Sequence, residues 1–102
     1  MASSKEYLSF ILEQLSELDD ISHRAMMGEY LLYYRGILFG GIYDDRFLVK
    51  PTSSALSMMP DAQQEAPYDG AKPMLLVEEL ENKAFLKKVI EAIWEDLPKP
   101  KK

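Results

Sequence analysis

The sequence predicts an α+β domain in two layers. A mostly antiparallel sheet carries helices on one face, in the order α-β-β-β-β-α-β-α. Three observations lead there. Apolar residues recur at helical spacing near both ends of the chain, at Tyr7, Leu8, Ile11, Leu12, Leu15 and Leu18, and again at Phe85, Leu86, Val89, Ile90, Ile93, Trp94 and Leu97. Between them, Gly28–Pro51 (GEYLLYYRGILFGGIYDDRFLVKP) holds most of the aromatics and breaks at two tight turns, as an antiparallel meander does. With 102 residues, the chain is long enough for one core and one domain.

The first helix is expected from Ser4 to Leu18, with Ser3 and Glu6 in capping-box spacing and Asp19-Asp20 ending the pattern. Ile21–Met27 reads as a first edge strand. Glu29–Tyr34 is rich in Tyr and Leu and favours a strand. Arg35-Gly36 turns the chain into a strand over Ile37–Tyr43. Asp44-Asp45 turns it again into Arg46–Lys50, which Pro51 stops because proline has no N–H to donate. Thr52–Met59 reads as a short helix, with Thr52 as its N-cap, Ala55, Leu56, Met58 and Met59 apolar, and Pro60 as its end. Asp61–Ala71 is a polar, turn-rich loop with room for one helical turn at Ala62–Glu65. The run Met74–Val77 within Lys72–Glu78 reads as one more strand. Asn82 caps the final helix, which runs to Leu97. The expected domain is therefore 1–97, with 98–102 a flexible Lys/Pro tail.

Composition narrows the function classes. Hydrophobic residues at 47% with 28% charged residues fit a folded globule and not a disordered chain. No apolar run approaches the roughly 20 residues a bilayer span needs. The opening Met-Ala-Ser-Ser-Lys-Glu is unlike a secretory signal peptide. The chain has no cysteine, which removes disulfides, thiolate metal sites and a thiol nucleophile, and suits the cytoplasm. A net charge of −5 disfavours direct nucleic-acid binding, because phosphate neutralisation needs clustered Lys and Arg. The one dense cluster, Lys99, Lys101 and Lys102, lies in the Pro-rich tail and reads as a solvated end.

No catalytic constellation emerges. His23 is the single histidine, with no second metal-ligating partner and no nucleophile elbow beside it. The adjacent acids Asp19-Asp20 and Asp44-Asp45 suit helix-end and turn chemistry, since neighbours on a strand point to opposite faces. Glu78, Glu79 and Glu81 precede the last helix, where acids favour the helix dipole. Nucleotide-cradling glycine motifs are missing. The expectation is no catalytic residue, no metal and no cofactor.

Two features carry a binding function instead. Tyr30 and Tyr34 share one face of their strand and Tyr33 takes the other, so some tyrosine must meet solvent or a partner. With Met26, Met27 and Tyr43, soft apolar and aromatic groups converge on the meander, as interfaces favour. Core packing is the competing reading. Gly40-Gly41 sits inside the middle strand and marks either a bulge and close structural approach, or a ligand against bare backbone.

The motif Arg24-Ala25-Met26-Met27-Gly28, then Gly36, Phe39 and Leu48-Val49-Lys50, with Pro67-Tyr68-Asp69-Gly70 before the last strand, resembles the N-terminal domain of the TfoX/Sxy competence regulators. Met27 and Glu29 stand where that family commonly has an aromatic and a glycine. The resemblance spans nearly the whole chain. It implies a bacterial cytosolic protein and a co-regulator of competence (DNA transformation) genes that works through a protein partner. Full-length regulators carry a second, helical domain, so the resemblance reads this chain as a stand-alone N-terminal domain. The leading expectation is a non-enzymatic interaction module, contacting a protein partner or itself through Met26, Met27, Tyr33, Tyr34 and Tyr43. The alternative is a small-molecule domain with its pocket between the last helix and the Gly40-Gly41 strand.

Overall fold

A computed structural model describes residues 3–99. It has three helices, α1 (Lys5–Gln14), α2 (Ser53–Met58) and α3 (Lys83–Asp96). They pack with one sheet of six strands: β1 (Ile21–Met26), β2 (Glu29–Tyr34), β3 (Ile37–Ile42), β4 (Phe47–Val49), β5 (Gln64–Glu65) and β6 (Met74–Leu76). Strand order is β1-β2-β3-β4-β6-β5, and every neighbouring pair is antiparallel. The expected α+β architecture and element order are present, with β5 added. At Ala62–Glu65, where the loop had room for a helical turn, Gln64 and Glu65 instead pair with Leu75 and Met74.

Three two-residue hairpins build the meander. Met27-Gly28, Arg35-Gly36 and Asp44-Asp45 each place both residues at positive φ. That is the turn geometry whose twist matches the flanking strands. The second and third lie at the expected turns. The first places Met27, at φ 53°, in a region that costs a non-glycine residue about 1–2 kcal/mol.

α1 begins one residue later than the Ser3 capping box requires. Ser4 is the cap, its Oγ accepting from the Tyr7 N–H at 3.1 Å. Ser3 is buried and serves as a tie. Its Oγ donates to Glu29 Oε1 at 2.6 Å and accepts from the Asp45 N–H at 3.0 Å, while Asp44 N–H donates to the same Glu29 oxygen. One carboxylate thus joins the N-terminal segment to two hairpin tips. α1 ends at Gln14, short of the expected Leu18; the Leu15 N–H makes the last helical bond, to Ile11, and tighter turns carry the chain on to Leu18, with Leu15 and Leu18 in the core. Thr52 and Asn82 cap α2 and α3 as expected, accepting from Ala55 and Phe85 N–H. At the far end of α3, Lys99 Nζ donates to the Leu97 and Trp94 carbonyls and lies 4.3 Å from the Trp94 ring centre. Lys101 and Lys102 lie outside the described residues.

All three helices share one core with one face of the sheet. Leu8, Ile11, Leu86, Ile90 and Ile93 pack with Leu32, Tyr34, Phe39, Ile42, Phe47, Val49 and Leu75 in a single buried cluster. Phe39 and Phe47 meet edge to face at 6.5 Å, and Tyr34 meets Trp94 at 6.0 Å. β3 carries a bulge. Leu32 pairs with Gly40 while Tyr33 pairs with Leu38, so Phe39 is the extra residue, and its carbonyl accepts from Lys50 N–H.

Candidate protein-interaction face

Strand alternation sets what the second face carries. Leu31 and Tyr33 of β2 are opposite in phase to core residues Leu32 and Tyr34. Following the register outward, the same face receives Met26 and Arg24 from β1, Leu38 and Gly41 from β3, Leu48 from β4 and Leu76 from β6. No helix belongs to this side; every helical core residue packs on the other. An apolar stripe therefore crosses this side of the sheet, open along β1, β2 and Leu38 but covered at Gly41 and Leu48, which are buried. Leu31, Tyr33, Leu38 and Leu76 are half-buried along it.

Tyr43 projects onto this face. Its ring lies across Gly41, is itself only 6% exposed, and sits 6.5 Å from the Tyr68 ring in the loop before β6. Burial pushes the Tyr43 hydroxyl above the ordinary tyrosine value, with Tyr68, Glu29 and Tyr33 adding smaller pushes in the same direction. Tyr68 is 61% exposed and forms the outer lip. Beside it, Arg46 bonds Glu65 at 2.6 Å and reaches the Ala66 and Pro67 carbonyls, pinning the loop that holds Tyr68.

The proposed contact residues divide. Met27 stands at the β1–β2 hairpin tip, 96% exposed, and Met26 is 39% exposed beside it. Tyr33 lies half-buried on the open face. Tyr34 does not reach a surface. It is 3% exposed, packed on Trp94, with the Arg35 guanidinium 5.1 Å from its ring centre. Tyr43 is closed over by its own surroundings. The sequence reasoning passed over Leu31, Leu38 and Leu76. Their signal was the strict alternation with Leu32 and the register partners of Tyr33, which needs the sheet order to be read.

Gly40 and Gly41 answer to structural neighbours. A Cβ on Gly40 would run into the Leu48 carbonyl oxygen and sit 2.9 Å from Val49 Cα. On Gly41 it would meet the Tyr30 carbonyl oxygen at 2.7 Å and the Tyr43 ring at 2.8 Å. The close approach is made by the neighbouring strands and Tyr43, not by a ligand. α3 closes the expected pocket as well, since Val89, Ile90 and Ile93 are at most 1% exposed. Clefts on the described surface lie elsewhere, one of about 250 Å³ between Met59, Leu76 and Phe85. Among the described residues, no three His, Asp or Glu side chains group as metal ligands would, and no helix is long and apolar enough to cross a membrane.

An uncharacterized 12.7 kDa protein in the trpE 5′ region of Spirochaeta aurantia is 29% identical over 84 residues, covering 82% of this chain and 73% of that protein. No solved structure matches the chain. The TfoX N-terminal domain family matches residues 13–97, which include all six strands, α2 and α3. The chain belongs to the TfoX N-terminal domain family.

Proposed function

We propose that this domain is a non-enzymatic, cytoplasmic interaction module of the competence-regulator kind. It acts on transcription through a protein partner seated on the open sheet face. The observation that carries the reading is Met27. A large apolar side chain is held 96% exposed at a hairpin tip, on a backbone angle that other residues adopt at lower cost. Folding does not explain it, because glycine or asparagine would make the same turn more easily. A partner that covers Met27 does. Met26, Tyr33 and Tyr68 extend the same apolar surface, mixing soft, adaptable and aromatic groups of the kind interfaces concentrate.

Family membership supports the regulatory character of the domain. The working unit is residues 1–97, with the Lys/Pro tail accessory to it. The open face carries Arg24 and Glu29, one charge of each sign, among apolar groups, so its partner is expected to bring chiefly apolar side chains. The test is capture of a stoichiometric partner from nuclease-treated lysate of the native host, compared between wild type and Met27→Ser/Tyr33→Ala. Loss of the partner with the fold intact supports the face. Equal capture by both removes it.

A further inference from the structure

The two edges of the sheet are treated differently. β5 is blunted by its length of two residues. β1 is six residues long, exposed at every position after Ile21, and free of proline and bulges, with Arg24 its one permanently charged side chain against edge pairing. Its hydrogen-bonding phase follows from one bond. The Arg35 N–H donates to the Asp20 carbonyl at 3.0 Å, so Ser22, Arg24 and Met26 direct their backbone groups at β2. Ile21, His23 and Ala25 direct theirs away from the sheet, and no other described segment reaches them.

We propose that a second copy of this chain pairs antiparallel with β1 along this edge, about a twofold axis at His23. The partner is chosen by self-complementarity. With His23 facing His23 of the second copy, Ile21 faces Ala25 and all three outward residues on each chain are bonded. This joins two six-stranded sheets into one. In that register Arg24 lies opposite Ser22, so no like charges stand directly across the seam. Sliding by two residues one way sets Arg24 against Arg24, and sliding the other way leaves an outward residue unpaired. The seam uses backbone at the edge and leaves the open face free, so it stands apart from the partner contact proposed above.

Sedimentation equilibrium of the full chain across a concentration series tests this. Wild type is expected to approach twice the chain mass. His23→Lys and His23→Glu are each expected to stay at the single-chain mass, while an equimolar mixture recovers the double mass, because only the mixed pair places opposite charges at the axis. Ala25→Pro removes an outward N–H and is expected to be monomeric with unchanged far-ultraviolet circular dichroism and melting profile, since edge strands tolerate proline there. A wild type that stays monomeric throughout overturns the proposal. So does a dimer that survives His23→Lys and Ala25→Pro. A mixture of the two His23 variants that fails to pair overturns the register. Self-association abolished by Tyr33→Ala but kept in Ala25→Pro would also overturn it, and would move the contact to the open face.

Discussion

Replacing Gly40 by alanine separates a crowded glycine from an ordinary strand glycine by the sign of its effect. An ordinary interior glycine is destabilising by roughly 0.5–1 kcal/mol relative to alanine, so the substitution should stabilise. At Gly40 the new methyl would collide with the Leu48 carbonyl and lie 2.9 Å from Val49 Cα, and both are backbone. Neither swings aside as a side-chain tip does. β4 is pinned on both sides, by β3 and by β6, and Phe47, Leu48 and Val49 are fully buried. Relief must come from moving a central strand. Overpacking of this type costs about 1–3 kcal/mol. For a domain of this size each kcal/mol lowers Tm by roughly 4–8 °C. Gly40→Ala is therefore expected to melt about 4–24 °C lower, and a urea titration read by circular dichroism should agree. A melting point equal to or above wild type would refute the claim that close strand approach fixes this glycine. Gly41→Ala should cost less in a Tyr43→Ala background than in wild type, because one of its two close neighbours is then gone.

Three further outcomes are expected. Glu29→Ala removes the acceptor of Ser3 Oγ and Asp44 N–H and should cost about 1–3 kcal/mol in a chemical melt, with faster amide exchange at Asp44 and Asp45. Thr52→Ala should cost about 1 kcal/mol through loss of the α2 cap, measured the same way. Asp96 titrates below the ordinary carboxylate value, chiefly because its carboxylate accepts the Ser54 N–H at 2.8 Å, with further contributions from Ser54 and Thr52 side chains and Lys99. A lowered folded pKa means that its stabilising contribution is present above the unfolded value and lost as pH falls through the folded one. Asp96→Asn should flatten that part of the acid limb, and NMR titration should place the Asp96 midpoint below that of free aspartate.

Much of the fold was legible because local chemistry and tertiary placement agree. Apolar spacing, the Thr52 and Asn82 caps and the Arg35-Gly36 and Asp44-Asp45 turns each sit where short-range physics puts them. The misses needed distant partners. Ser3 looks like a cap from its neighbours alone, but Glu29 and Asp45 take it for a tie. Glu29 stands where the resemblance leads one to expect glycine, and its carboxylate has a structural task that only the folded chain reveals. β5 exists because β6 offers it an edge, not because Gln64-Glu65 favours a strand. Met27-Gly28 is a turn whose first residue is an unfavourable choice, so propensity points away from it.

The candidate face was half visible. Alternation correctly put Tyr33 opposite Tyr30 and Tyr34. Which of the two faces the helices would cover depends on tertiary packing, and that packing buries Tyr34 against Trp94. Tyr43 has the same parity as Gly41, and the missing side chain there lets its ring fold down onto the sheet.

The central claim is that Met27 and the open sheet face hold a protein partner. The most direct measurement is binding of the captured partner, purified, to wild type, to Met27→Ser/Tyr33→Ala, and to Lys87→Ala on the helical side, by titration calorimetry with matched melting profiles. The account predicts at least a tenfold loss for the double variant, about 1.4 kcal/mol, and none for Lys87→Ala. Unchanged affinity in the double variant, or an equal loss in Lys87→Ala, would contradict it.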